Sequence, residues 1–161
     1  MTELTDVFSQ EQERIDTASV QGLKRDGILA ALCPGLLKLG YQVETGKTAI
    51  EKIERPVLFG DQGAPRVHYQ IDAWHPDHGV VVEIEAGRGW AGNAFYRDLI
   101  RTSLIVGARY LVIGMMHRYV YSSGGKSSAH NDYANARDQL DAIYASGRLD
   151  LPFEGVLLIG Y

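Results

Sequence analysis

Two carboxylates stand where a buried strand should hold aliphatic side chains: Glu83 and Glu85, in Val80-Val81-Val82-Glu83-Ile84-Glu85. Residues two apart on a strand point to the same face, so these carboxylates converge. Burying them unpaired is costly, so the pattern calls for a positive partner, either an arginine or a metal ion. Just upstream, Val67, Tyr69, Ile71 and Ala73 alternate with His68, Gln70, Asp72 and Trp74, the period of a strand with two unlike faces. His75-Pro76-Asp77-His78-Gly79 is a turn by composition. The two runs therefore form a hairpin that can set Asp72 opposite Glu83 or Glu85, and strand parity allows all three acids on one face. Three oxygen donors with water suit Mg²⁺ or Mn²⁺. Such a cluster serves phosphoryl chemistry, where a cation offsets charge on the attacking and leaving oxygens. The plainer alternative is a half-exposed strand whose acids pair with Arg88 or Arg97.

Basic residues follow directly. Residues 86 to 126 hold six bases (Arg88, Arg97, Arg101, Arg109, Arg118, Lys126) and one acid, Asp98. Asn93, Arg97 and Arg101 recur every four residues and so share one helix face. With Arg88, the arginines of that face are candidate phosphate contacts. The chain's net charge of -4 argues against a polyanionic partner only until its distribution is considered. Residues 1 to 20 carry five acids and one base, which is the whole of the -4.

The elements that position these groups follow from periodicity and punctuation. A loose apolar stripe (Ile15, Ala18, Leu23, Ile28, Leu29, Leu32) predicts helix over residues 8 to 32, stopped by Pro34-Gly35. A short strand is expected over 41 to 44. Residues 47 to 56 give no assignment, and Val57-Leu58-Phe59 reads as a strand fragment before a glycine-rich loop. After the central hairpin, a helix over 94 to 106 presents Phe95, Leu99, Thr102, Ile105 and Val106, with Gly107 as its stop. A strand over 110 to 116, a polar loop over 122 to 128, a helix over 130 to 146 and a strand over 155 to 161 complete the chain. Tyr119 and Tyr121 alternate with Arg118 and Val120, which suggests a further strand or a nucleic-acid-facing edge. The order predicts one α/β domain over residues 1 to 161, a mixed sheet with helices against it.

At Asp72 and Glu83-Ile84-Glu85 the sequence resembles the PD-(D/E)xK phosphodiesterase superfamily, the fold of type II restriction endonucleases and many repair nucleases. That family carries an acid on one strand, a hairpin, an acid-x-Lys tripeptide on the next strand, then a helix and another strand. Here Asp72 is the first acid and Glu83-Ile84-Glu85 the tripeptide, and element order agrees over about residues 8 to 116. The resemblance implies a restriction-endonuclease-like three-layer core. It also implies a Mg²⁺- or Mn²⁺-dependent nuclease acting on nucleic acid, with DNA the expected substrate. Asp72, Glu83 and Glu85 would be both catalytic residues and metal ligands. Two departures stand out: Ile71 replaces the usual proline, and Glu85 replaces the lysine that positions or activates the attacking water. Glu85 would then act as a ligand or general base, with positive charge supplied from the next helix. An acid from the first helix sometimes completes the family's site, and Glu11 and Glu13 lie in that region. The missing lysine also motivates a second reading, a catalytically inactive nuclease-fold module that binds nucleic acid or protein. Double-strand cutting needs two sites, so a homodimer is a natural expectation.

Other signals carry less. His75 and His78 lack a nearby cysteine for zinc, and Gly124-Gly125-Lys126-Ser127 lacks the glycine spacing of a phosphate loop. Trp74 and Trp90 read as cover for the hairpin, and the lone Cys33 as a small buried residue. A single cysteine in 161 residues excludes an internal disulfide framework and suits a reducing compartment. No apolar run approaches the length needed to span a bilayer, and the start lacks the features of a secretory signal. The expectation is a cytoplasmic protein without a membrane partner.

Overall fold

The structure is a computed structural model and describes residues 2 to 20, 22 to 87, 89, 90 and 92 to 161. Arg88 lies outside the described residues. The elements are α1 (Thr2–Gln10), α2 (Gln12–Ile15), α3 (Arg25–Lys38), β1 (Gln42–Val43), β2 (Ile53–Phe59), β3 (Pro65–Ile71), β4 (Ala73–His75), β5 (Val80–Glu85), α4 (Ala94–Ser103), β6 (Tyr110–Met115), β7 (Tyr119–Ser123), β8 (Lys126–His130), α5 (Asp132–Ser146) and β9 (Gly155–Gly160).

The fold is α/β with a mixed five-stranded sheet in the order β1-β4-β5-β6-β9. β4 and β5 form the expected antiparallel hairpin, whereas β5, β6 and β9 run parallel. Alternation along β5 and β6 sorts side chains to two cores. Val80, Val82, Ile84 and Val112 pack with Leu4, Phe8, Ile28, Leu32 and Leu36 from α1 and α3. Val81, Leu111, Ile113 and Met115 pack with Phe95 and Leu99 of α4 and Ala136 of α5. Helices thus cover both faces of the central strands, which is why those strands are apolar on both sides.

Several boundaries differ from the sequence expectation. The first helical region is broken between Ile15 and Arg25, where Asp16 accepts from the Ala18 N–H and the Ser19 hydroxyl and turns the chain. Pro34 does not stop the helix: α3 runs through it to Lys38. Pro34 and Ala30 both sit on the exposed side, so the carbonyl deprived of its N–H partner faces water. Gly35 has a packing role, since a Cβ there would stand 2.6 Å from Val7 Cγ1. Of the unassigned stretch before Val57, residues 47 to 52 turn and Ile53 to Pro56 belong to β2, paired antiparallel with β3 in a separate hairpin. The polar loop over 122 to 128 is instead the hairpin β7–β8. It turns at Gly124 and Gly125, both at positive φ (59° and 78°), the conformation a two-residue hairpin turn demands. Val106 is 48% exposed rather than part of the α4 stripe, while Phe95, Leu99, Thr102 and Ile105 are buried as expected.

One break matters for the site. The run from Val67 to Trp74 is not a single strand, because the chain bends at Asp72 between β3 and β4. Ile71 and Trp74 consequently bury in the same core although three residues apart, which a continuous pleat forbids.

A candidate acidic site at the end of the central strand

β5 and the bend before β4 bring the acids together. Glu83 is buried and lines a cleft of about 130 Å³ with Asp72, Glu85 and Asp98. The bend frees Asp72 from strand alternation, so its side chain reaches along β5 and accepts the Ile84 N–H at 2.7 Å. Its other oxygen accepts from the Arg25 guanidinium at 2.9 Å. Arg25 also reaches Glu44 at 2.8 Å, and Lys52 Nζ approaches the same Glu44 carboxylate at 3.3 Å. Glu44 is placed by its own backbone, whose N–H donates to the Asp72 carbonyl at 2.8 Å.

The opposite wall comes from α4. Arg97 donates to Glu85 at 2.8 Å and to Asp98 at 3.0 Å. One turn on, Arg101 donates to the Gln70 carbonyl at 3.2 Å, and its guanidinium stands 4.9 Å from the centre of the Tyr69 ring. Among the described residues, Glu83 forms no ion pair.

The electrostatics follow from this crowding. Burial pushes the Asp72 carboxyl up to about 6, against the pull of Arg25 and the Ile84 N–H. Burial, reinforced by the charges of Asp72 and Asp98, pushes Glu83 well above the ordinary carboxylate range, with Arg101 opposing. Glu85 is pushed up to about 9 by burial first and then by a hydrogen bond shared with Asp98, against Arg97. The cleft therefore carries more negative charge than its arginines neutralise, and protons make up the difference. A folded chain that holds these protons binds more of them than the unfolded chain between about pH 4 and 9, so stability falls as pH rises through that window. In chelator, denaturant unfolding should show a loss of about 2 kcal/mol or more between pH 5.5 and 9. Millimolar Mg²⁺ should recover part of that loss at the upper end, because a ligand that binds only the folded state stabilises it. A flat or rising profile in chelator would contradict the assignment of these charges.

The donor chemistry fits a hard divalent cation, since the cleft offers carboxylate oxygens and neither sulfur nor imidazole. Among the described residues no three carboxylate, imidazole or thiol side chains are gathered around one metal position. Both Asp72 oxygens are engaged, and one oxygen of Glu85 is held by Arg97. A cation at this cleft would recruit Glu83 first, then Glu85 and Asp72 as Arg97 and Arg25 yield.

Of the residues singled out in the sequence, Asp72, Glu83, Glu85, Arg97 and Arg101 meet at one cleft. Asn93 takes the position ahead of α4 with a left-handed backbone (φ 55°) and makes no side-chain cap. Glu11 pairs with Arg14 on the surface, and neither Glu11 nor Glu13 lines the cleft. Arg25, Glu44, Lys52 and Asp98 were not anticipated as members. Asp98 had a signal: it falls inside the buried stripe of α4, between Phe95 and Leu99, where a charge needs a reason. A larger cavity of about 510 Å³ lies at the other end of β5, beside Tyr41, His75 and Val80. Size alone does not make it the site, because the displaced carboxyls converge on the smaller cleft. No helix among the described residues is long and apolar enough to cross a membrane. Comparison of the chain with protein-family models, curated proteins and solved structures gave no match.

Proposed function

We propose that this protein is a restriction-endonuclease-like nuclease that uses Mg²⁺ or Mn²⁺ to hydrolyse phosphodiester bonds, with DNA as the expected substrate. The observation that carries the reading is the incompletely balanced group of buried and half-buried acids, Asp72, Glu83, Glu85 and Asp98, lying among Arg25, Arg97 and Arg101 at the end of β5. The order hairpin, acidic strand, helix, strand (β4–β5, α4, β6) supports it. A bound divalent cation would supply Lewis-acid stabilisation of the charge that develops on the phosphoryl oxygens.

The chain's own groups divide the remaining work. Arg97 and Arg101 face the cleft from one side of α4 and would hold the phosphate, giving up their present partners when it binds. Glu85, whose carboxyl burial pushes up to about 9, would give its proton to the leaving oxygen and be reprotonated from the attacking water. Glu83, held in its neutral form by burial, would release its proton as the cation takes its place. The test is incubation of the protein with plasmid and single-stranded DNA in Mg²⁺ and in Mn²⁺. Cleavage that disappears in chelator and in Glu83→Ala is the expected result. Cleavage that persists in Glu83→Ala would remove this cleft from the chemistry.

A second reading has one observation in its favour: Asp72 is saturated by Arg25 and the Ile84 N–H, as in a site retired from metal binding. In that case the chain is an inactive nuclease-fold module, and calorimetry would detect no binding of Mg²⁺ or Mn²⁺.

A further inference from the structure

Two hairpins leave the sheet at the end where β5 stops. β3 runs into β4 there, and β7–β8 grows from β6, whose Met115 pairs with Glu85. The second hairpin is chemically one-sided. From Arg118 through Asn131 the sequence contains no acid. Register sets Tyr119 opposite His130, Tyr121 opposite Ser128, and Ser123 opposite Lys126. Tyr119, Tyr121, Lys126, Ser128 and His130 therefore share one face.

On that face the Tyr119 and Tyr121 rings stack 5.9 Å apart at 17°, and the His130 ring lies 5.3 Å from Tyr121. His130 Nδ1 lies against the Asp132 carboxylate, whose other oxygen accepts the Trp90 N–H at 3.1 Å. Tyr121 is 38% exposed, and exposed Lys126 forms no ion pair among the described residues. At the inner end of the row the Tyr119 ring borders Gly87, two residues beyond Glu85, and packs against the core under α1 and α3.

We propose that this face of the β7–β8 hairpin binds a single-stranded stretch of nucleic acid, stacking unpaired bases on Tyr121 and Tyr119 and holding phosphate with Lys126. Its link to cleavage rests on the nuclease reading, while its binding chemistry stands by itself. Flat rings with a cation and hydroxyls and no acid match the alternating base faces and phosphates of a strand. A duplex hides its base faces. No aliphatic side chain lies on this face to seat an apolar peptide.

The test is fluorescence anisotropy of a labelled single-stranded DNA of about 12 nucleotides, an RNA of the same sequence and the DNA duplex. The full chain is titrated with Ca²⁺ in place of Mg²⁺. One single-stranded probe should bind more tightly than the duplex. Tyr121→Leu, which keeps an apolar contact across the hairpin, should lose about tenfold in affinity, and Tyr121→Phe should retain it. Lys126→Ala should lower the slope of log affinity against log salt by about 0.7. Equal binding by Tyr121→Leu and the native chain, or no binding by the native chain, overturns the proposal. Equal binding with Mg²⁺-dependent cleavage intact defeats the hairpin face and leaves the nuclease. Weakened binding by Tyr121→Leu in a protein that cuts with no metal supports the face and defeats the nuclease.

Discussion

Glu83→Gln is expected to move activity and stability in opposite directions. Cleavage in Mg²⁺ should fall by about 10³-fold or more, since a carboxylate that draws in the cation accounts for several kcal/mol of transition-state stabilisation. The folded protein without metal should gain stability at the same time. Glu83 is buried among Asp72, Glu85 and Asp98, with no ion pair of its own among the described residues. An amide of the same shape removes a charge the fold has to accommodate. The gain should be small at pH 5, where Glu83 is protonated, and about 1–2 kcal/mol by pH 8 to 9. Urea unfolding at the two pH values checks it. A variant that loses both activity and stability would mean that Glu83 is a structural partner in the core.

Arg25→Met should have the largest destabilising effect at this end of the molecule. Arg25 bridges Asp72 and Glu44, whose side chains are only 2% and 5% exposed. Removing one partner of a buried pair leaves an uncompensated charge, at about 3–5 kcal/mol. Arg25 itself is 37% exposed, and Lys52 still reaches Glu44, so screening reduces the expected loss to about 2 kcal/mol. In a chain of this length that lowers the melting temperature by about 4–8 °C. Arg25 now holds the Asp72 pKa down. Without it Asp72 keeps its proton to higher pH, and the loss should be smallest under acid conditions and grow as pH rises through about 6. The double variant Arg25→Met with Asp72→Asn should recover most of the stability. If Arg25→Met melts like the native chain at pH 8, the bridge is not holding the bend at Asp72.

What the sequence made legible was local. The apolar run Val80 to Val82 read as a buried strand and the stripe Phe95, Leu99, Thr102 as an amphipathic helix, and both formed, although the helix ends at Ser103 rather than at 106 before Gly107. The acids of β5 and the arginines of α4 were readable because each pair lies on one element, where spacing fixes direction. Arg25, Glu44 and Lys52 were not readable for the opposite reason. They arrive from α3, from the end of β1 and from just ahead of β2, and only tertiary pairing brings them to Asp72. The helix through Pro34 was missed because a local stop signal was outweighed by packing: Ile28, Leu29, Leu32 and Leu36 anchor both sides of it. The β7–β8 hairpin was masked by serines and glycines, whose low strand propensity hides the cross-strand contacts of Tyr119, Tyr121 and His130 that hold it.

If the acidic cleft at the end of β5 is a divalent-cation site serving phosphodiester hydrolysis, crystals soaked in Mn²⁺ and measured at its absorption edge should show the ion. An anomalous peak within coordinating distance of Glu83, shared with Glu85 or Asp72 and lost in Glu83→Gln, is the result expected. A cleft that stays empty at millimolar Mn²⁺, with Arg25 still on Asp72 and Arg97 still on Glu85, would contradict the account and leave these carboxylates as partners of arginines alone.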